Sequence, residues 1–327
     1  MADVKLVEVT RGGVVESEHF GVAAVVDHTG RIRRAWGDPE RRIFPRSAMK
    51  PIQSLVLAEA GLNLSPEQWA LSGASHDGEP MHTERVLSWL KELGHAPSDL
   101  ACGPAWPSHS PTRKALIADG AEKARIYHNC SGKHAGQLAL CAHCGWDPVG
   151  YQDADHPAQT KMLARLAELA DMTPFALGID GCSLPAPQLT LQGFGRALAQ
   201  ISKMAATSGS AAETVIANAI SHVELTGGST QWNGRLTKAT GGRAYVKSGA
   251  EGVFGVIMPR LGLALVVKAT DGASRASECA VAGLIREVSD TLDLDGSTMT
   301  PFATIRHYNA AGLVAGDIRF VGGAGHA

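Results

Sequence analysis

Hydrophobic and polar positions change period twice along this chain. Residues 4–10 are short and β-rich, 20–26 form a nearly continuous apolar run, and 27–30 supply a turn before 31–36. These segments predict a strand hairpin or meander. From Ser47 to about Leu225 the spacing becomes helical. Helices are predicted over 47–60, 83–93, 132–144, 159–170, 195–206 and 211–225, with a short one ending near Leu71. Pro51 falls in a first turn, where a missing N–H does little harm. Loops rich in Gly, Pro and Ser are expected at 101–112 and 180–187. A Gly- and Thr-rich stretch, 227–242, leads back to strands at 243–248, 252–259 and 263–270, then to an amphipathic helix over 273–292. The last thirty or so residues fit no single pattern.

This order predicts an α+β fold. The N- and C-terminal strands join in one antiparallel sheet lobe (1–45 and 226–327) with the C-terminal helix on a face. Residues 46–225 form a mainly helical lobe, and the active site is expected between the two.

Composition narrows the function. The 327 residues are 44% hydrophobic and 19% charged, enough for a sizeable core. A net charge of −2, the lack of a long basic run and 5% aromatic residues argue against nucleic acid as a partner. The first residues lack the pattern of a secretory signal, and no stretch of about 18 apolar residues could span a bilayer. A soluble, cytoplasmic protein is expected. Its six cysteines, Cys102, Cys130, Cys141, Cys144, Cys182 and Cys279, should then be mostly reduced. In that setting clustered cysteines point to metal or catalysis rather than disulfides.

The sharpest local signal is Arg46-Ser47-Ala-Met-Lys50-Pro51 at the start of a predicted helix. Residues three apart share a helix face, so hydroxyl and amine can meet. Serine needs a neighbouring base, and lysine serves once burial or a nearby cation lowers its pKa. Alone the motif is equally an N-cap serine with a solvated lysine. Context favours chemistry, because Val246-Lys247-Ser248-Gly249 on a returning strand is similar to the K-T-G element of serine β-lactamases and penicillin-binding proteins. Gly249 would let a substrate lie against the strand. No S-D-N element accompanies them, which argues against a β-lactamase proper.

Two further loops carry cysteines among polar residues: His128-Asn-Cys130-Ser-Gly-Lys133-His134 and Asp180-Gly-Cys182-Ser-Leu-Pro185. Thiolates suit Zn²⁺. Cys130 and Cys182 could supply two ligands, with His128 or His134 the conventional third, and Lys133 only if deprotonated. Inert buried cysteines are the plain alternative. Cys141 and Cys144 form a C-x-x-C pair inside a predicted helix, which suits core packing better than redox work at an exposed helix start. In Gly73-Ala-Ser75-His76-Asp77-Gly78-Glu79, Ser75 could add a second hydroxyl near the lysines, against a reading as ordinary turn chemistry.

Together these segments resemble the rhizobial-type L-asparaginases (class 3, the asparaginase II family) over roughly residues 4–320. The resemblance implies a serine β-lactamase/glutaminase-like fold, a homodimer and hydrolysis of L-asparagine to L-aspartate and ammonia. It implies two Ser-Lys tandems, Ser47 with Lys50 and Ser75 with Lys247. It also implies Zn²⁺ on Cys130, Cys182 and Lys133, supported by Asp180; because a serine nucleophile is already present, the metal is expected to position substrate rather than activate water. Arg46 and His134 are expected to hold the substrate carboxylate. The rivals are the same chemistry on glutamine, a β-lactam or a small ester, a non-catalytic metal- or amino-acid-binding relative, and a zinc hydrolase built on the two cysteines.

Overall fold

The computed structural model describes residues 2–323 and residue 325. Strand β1 (Val4–Arg11) turns through Gly12 and Gly13 into β2 (Val14–Asp27). The second strand starts six residues earlier than its apolar run. Its first residues, Val14–Glu18, are mostly exposed, valines included, and pairing with β1 rather than burial makes them a strand. The Asp27 carboxylate ties the next turn, accepting from Thr29 N at 2.9 Å and Arg31 N at 3.1 Å. Strand β3 (Ile32–Trp36) then pairs with β2, as the meander predicts.

Strand β4 (Arg42–Ile43) and a tight turn, Arg46–Met49, precede the helices. These are α1 (Lys50–Glu59), α2 (Pro66–Ser72), α3 (Pro80–Glu92), α4 (Ser110–Ala118), α5 (Ser131–Cys144) and α6 (Pro157–Ala170). The 101–112 loop is therefore shorter than expected. The 180–187 loop is also shorter: β5 (Ala176–Ile179) and β6 (Pro185–Thr190) form a small sheet of order β4-β6-β5. Prolines in the middle of a sheet argue against a strand. Here β4 pairs only with Leu189 and Thr190, so Pro185 and Pro187 lie where β6 has β5 as its single partner.

Helices α7 (Leu191–Met204), α8 (Ala211–Ser221), α9 (Val223–Thr226) and α10 (Trp232–Ala239) follow. Helix α10 falls within the Gly/Thr stretch. Those residues are poor helix formers, and packing supplies what propensity lacks, with Asn233, Leu236 and Thr237 buried. Strands β7 (Tyr245–Gly249), β8 (Val253–Met258) and β9 (Leu263–Ala269) lead to α11 (Ser274–Glu287), α12 (Thr300–Ala303), β10 (Thr304–Tyr308) and β11 (Val314–Phe320). Strand β11 pairs with β1 and β10 with β11; β10 alternates exposed and half-buried residues and β11 buries only two, which blurs their sequence pattern.

The antiparallel sheet runs β10-β11-β1-β2-β9-β8-β7, with β3 also on β2. N- and C-terminal strands thus share one sheet, as the order of elements predicts. One hydrophobic cluster carries Val22, Val26 and Val266 of one sheet face through Phe194 and Leu198 of α7 to Leu55 of α1 and Leu138 of α5. On the other face Val25, Phe254 and Leu265 pack with Val281, Leu284 and Ile285 of α11. Burial of this kind is worth about 25 cal/mol per Å² of apolar surface. Strand β7 is left at the sheet edge, where it meets the Arg46–Met49 turn. No described helix is long and apolar enough to cross a membrane.

Candidate active site

Three segments distant in sequence converge on one hydroxyl. Lys50 opens α1, Ser75 lies on the loop after α2, and Lys247 sits on β7. Lys50 Nζ reaches Ser75 Oγ at 2.8 Å, Cys130 Sγ at 3.1 Å and the Ala74 carbonyl. Lys247 Nζ lies 2.7 Å from the same Ser75 Oγ and donates to Ser248 O at 2.9 Å. Gly249 explains the approach of β7. A Cβ there would lie 2.5 Å from Pro45 O and 3.1 Å from Ala48 N. The strand end thus packs on the turn that bears Ser47, and the close neighbour of Gly249 is protein backbone rather than the substrate expected from its sequence.

Both amines are removed from water. Burial lowers Lys50, and the charge of Cys130 opposes this in part. Burial, then the Lys50 charge, holds Lys247 well below the ordinary lysine range. Two cations a few ångströms apart in a dry site disfavour double protonation, so a neutral amine beside Ser75 is the physical consequence.

Ser47 is half-buried on its turn, and its hydroxyl bonds to no described residue. The direct Ser47–Lys50 contact expected from the spacing is not made. An ammonium has three donors, and Ala74, Ser75 and Cys130 occupy them. Ser47 and Lys50 nonetheless line one small cavity, with Arg46, Gln53, Lys133 and Asp180.

The thiol loops meet at this cavity. Cys130 Sγ lies 3.3 Å from Asn129 Oδ1 and Cys182 Sγ 3.9 Å from Asp180 Oδ2, and the nearness of the two sulfurs lowers Cys130 well below the ordinary thiol range and raises Cys182. Lys50 and Lys133 add to the stabilisation of a Cys130 thiolate. Lys133 Nζ donates to Cys182 Sγ at 2.9 Å. Burial alone would lower this amine, but the charge of Cys130, the hydrogen bond to Cys182 and the charge of Asp180 raise it. Arg46 places Nε and Nη2 on Asp180 Oδ1 at 2.8 and 2.6 Å, and Asp180 also accepts from Gly181 N. Asp180 therefore orients the Cys182 loop and Arg46 together.

The histidines take other tasks. His128 Nδ1 accepts from Cys130 N at 3.0 Å, which commits it to the backbone at the start of α5. His134 is fully buried, bonds to Tyr151 Oη at 2.7 Å through Nδ1, and is held neutral by burial and by Lys133. Its Nε2 has no partner.

Two residues escaped the sequence reading. Tyr151, which holds His134, stands in a loop with no motif around it. Gln53 is buried with Oε1 unpartnered at the cavity. A polar residue on the apolar face of α1 was its available signal. Cys141 and Cys144 lie at the end of α5, and burial pushes the Cys141 thiol up to about 11, which agrees with the packing role read for the pair.

The profile of the family described as L-asparaginase II matches residues 7–320. No curated protein matches the chain. Among solved structures, Mglu aligns with a TM-score of 0.47 and 13% identity over 83% of this chain and 66% of that one. Mglu in its glutamate form gives 0.47 and 14%, over 84% and 61%. A beta-lactamase from Mycobacterium bovis gives 0.44 and 16%, over 82% and 94%.

Proposed function

The chain belongs to the L-asparaginase II family, and from that premise we propose that it is an amidohydrolase that converts L-asparagine to L-aspartate and ammonia. The observation that carries the reading is the Ser75 hydroxyl held by Lys50 and Lys247 at 2.8 and 2.7 Å. A neutral lysine amine is the base that a serine nucleophile needs.

Ser47 is the proposed nucleophile, since its free hydroxyl faces the cavity beside Lys50. A neutral lysine of the pair takes the proton, with Ser75 Oγ passing charge between Lys50 and Lys247. The Ser47 oxygen attacks the side-chain amide carbon. The protonated lysine then returns its proton to the departing ammonia. Water attacks the resulting β-aspartyl ester with the same amine as base, the amine returns that proton to the departing Ser47 oxygen, and aspartate leaves. Arg46, anchored by Asp180, is placed to take the substrate carboxylate through its remaining N–H groups. Neutral, buried His134 suits positioning beside Lys133 better than direct pairing with a carboxylate.

Zn²⁺ is part of the same proposal. Two buried, neighbouring cysteines, one lowered and the other raised, with an amine 2.9 Å from Cys182 Sγ, fit a borderline-soft cation. Cys130, Cys182 and Lys133 would hold it once Lys133 gives up its proton, with Asp180 behind. The ion would supply a fixed positive centre that orients a polar group of the substrate. A homodimer and a cytoplasmic setting rest on the family and the sequence, and solution mass tests the dimer.

A second reading has its own support: Ser75, not Ser47, touches both amines, so Ser75 could be acylated first. Intact-mass and peptide mapping of enzyme quenched during turnover of L-asparagine separates the two. A β-aspartyl adduct on Ser47 supports the assignment made here. An adduct on Ser75 transfers the nucleophile's role to it.

A further inference from the structure

Two residues past Ser75 the chain builds another polar cluster that hydrolysis does not use. Asp77 and Glu79 lie on the loop before α3, and His82 lies in the first turn of that helix. One ligand atom from each falls within 4.8 Å of the others. Asp77 and His82 are 1% and 0% exposed. Yet both Asp77 carboxylate oxygens and His82 Nδ1 lack a hydrogen-bond partner among the described residues. Buried polar groups are almost always satisfied, and an unpaired buried carboxylate is among the costliest exceptions.

The surroundings aim these orphaned atoms at one point. His82 Nε2 lies 3.0 Å from the Glu224 carbonyl, so it carries the ring proton and leaves the Nδ1 lone pair free. An outer carbonyl that fixes the tautomer in this way is the usual support of a metal-binding histidine. Nδ1 stands 3.6 Å from Asp77 Oδ1. Backbone bonds hold the loop without help from the carboxylate: Asp77 N donates to Gly227 O at 2.7 Å and His109 N to Asp77 O at 3.0 Å. Gly228, at φ +145°, is essential to the approach, because a Cβ there would lie 2.1 Å from Asp77 Oδ2. Glu79 accepts from Ser229 N at 2.8 Å, and its part-exposed side chain gives a route to solvent. Burial and the Glu79 carboxylate push Asp77 up to about 6, against a smaller opposing influence from His109, whose Nε2 stands 4.0 Å from Glu79 Oε2.

We propose that Asp77, Glu79 and His82 form a divalent-cation site that fastens the Ser75 loop to α3 and to the Gly227–Ser229 segment. Two carboxylates and a neutral imidazole suit Mn²⁺ or a similar transition cation. The absence of a thiolate from this ligand set separates it chemically from the Cys130–Cys182 pair. The same loop pairs Ser75 N with Thr226 O at 3.0 Å, so a bound ion would steady the hydroxyl that both lysines hold.

Titration of Mn²⁺ followed by its free-ion electron paramagnetic resonance signal tests this in the full chain. Thermal melting in parallel gives a second readout. The wild type should take up one ion per chain and melt at higher temperature with it. Asp77→Asn and Glu79→Gln should each weaken uptake about ten-fold or more, while Cys182→Ser should leave it unchanged. Equal uptake by wild type and a folded Asp77→Asn variant would overturn the site. So would no uptake by wild type at millimolar Mn²⁺, which would leave the two acids sharing a proton. Should Asp77→Asn fail to fold, Glu79→Gln, at the solvent-facing ligand, decides by the same criteria.

Discussion

Lys133 and Lys247 are equally buried, at 2% and 1% exposure, yet their charges are driven in opposite directions. Lys247 faces a hydroxyl, a carbonyl and a second amine, and the charge of Cys130 offsets its loss of water only in part. Lys133 loses as much water, but two sulfurs and Asp180 surround it and hold its proton. Lys50 stands between, since it touches both Ser75 and Cys130. Burial alone therefore does not decide whether a lysine is a base or a cation. The acceptors around its last atom do. In this protein a base-forming half and a charge-holding half stand side by side, with Lys50 in contact with Ser75 on one side and Cys130 on the other.

The strongest way to break that contrast is to remove the base. Lys247→Met should lower the turnover of asparagine by about 10²–10⁴-fold, read as ammonia release, with the fold intact by circular dichroism. Full turnover in that variant would remove Lys247 from the chemistry.

Next comes the charge-holding half. Cys182→Ser takes away the sulfur that Lys133 touches and should cut Zn²⁺ content by at least ten-fold, measured by metal analysis after dialysis. Unchanged zinc would place any metal elsewhere.

A pH profile sharpens the comparison. A lysine with a lowered pKa loses its proton as pH rises through that value. The rate should therefore climb on the acid side, with a midpoint below the ordinary 10.5, and fall as acid protonates the amine. Lys247→Arg, always charged, should not restore this limb. A rate that rises only around the ordinary lysine value would contradict the lowered base.

The smallest effect belongs to Arg46→Lys. A lysine keeps the charge but not the two-pronged hold on Asp180. A rise of about ten-fold in KM for asparagine is expected, roughly 1.4 kcal/mol, with kcat changed less.

Much of this arrangement was legible beforehand, and the parts that were not share a cause. Strong periodic segments, such as α5 and β7–β9, follow from their own residues. Strand β6 and helix α10 do not, because prolines and a Gly/Thr-rich sequence hide elements that neighbours complete. The motif residues Ser47, Lys50, Ser75 and Lys247 could be named, but not the pairing of Lys50 with Ser75. That depends on how α1, the loop after α2 and β7 are brought together by the core. Asp77 read as ordinary turn chemistry and His82 fell just outside the helix expected over 83–93, until their unsatisfied atoms were placed in space.

The most direct test of the account is ammonia release from L-asparagine and L-glutamine by the wild type and Ser47→Ala side by side. The account predicts rapid release from asparagine, weaker release from glutamine, and loss of both in a folded Ser47→Ala variant. A folded wild type that releases ammonia from neither amide would contradict it.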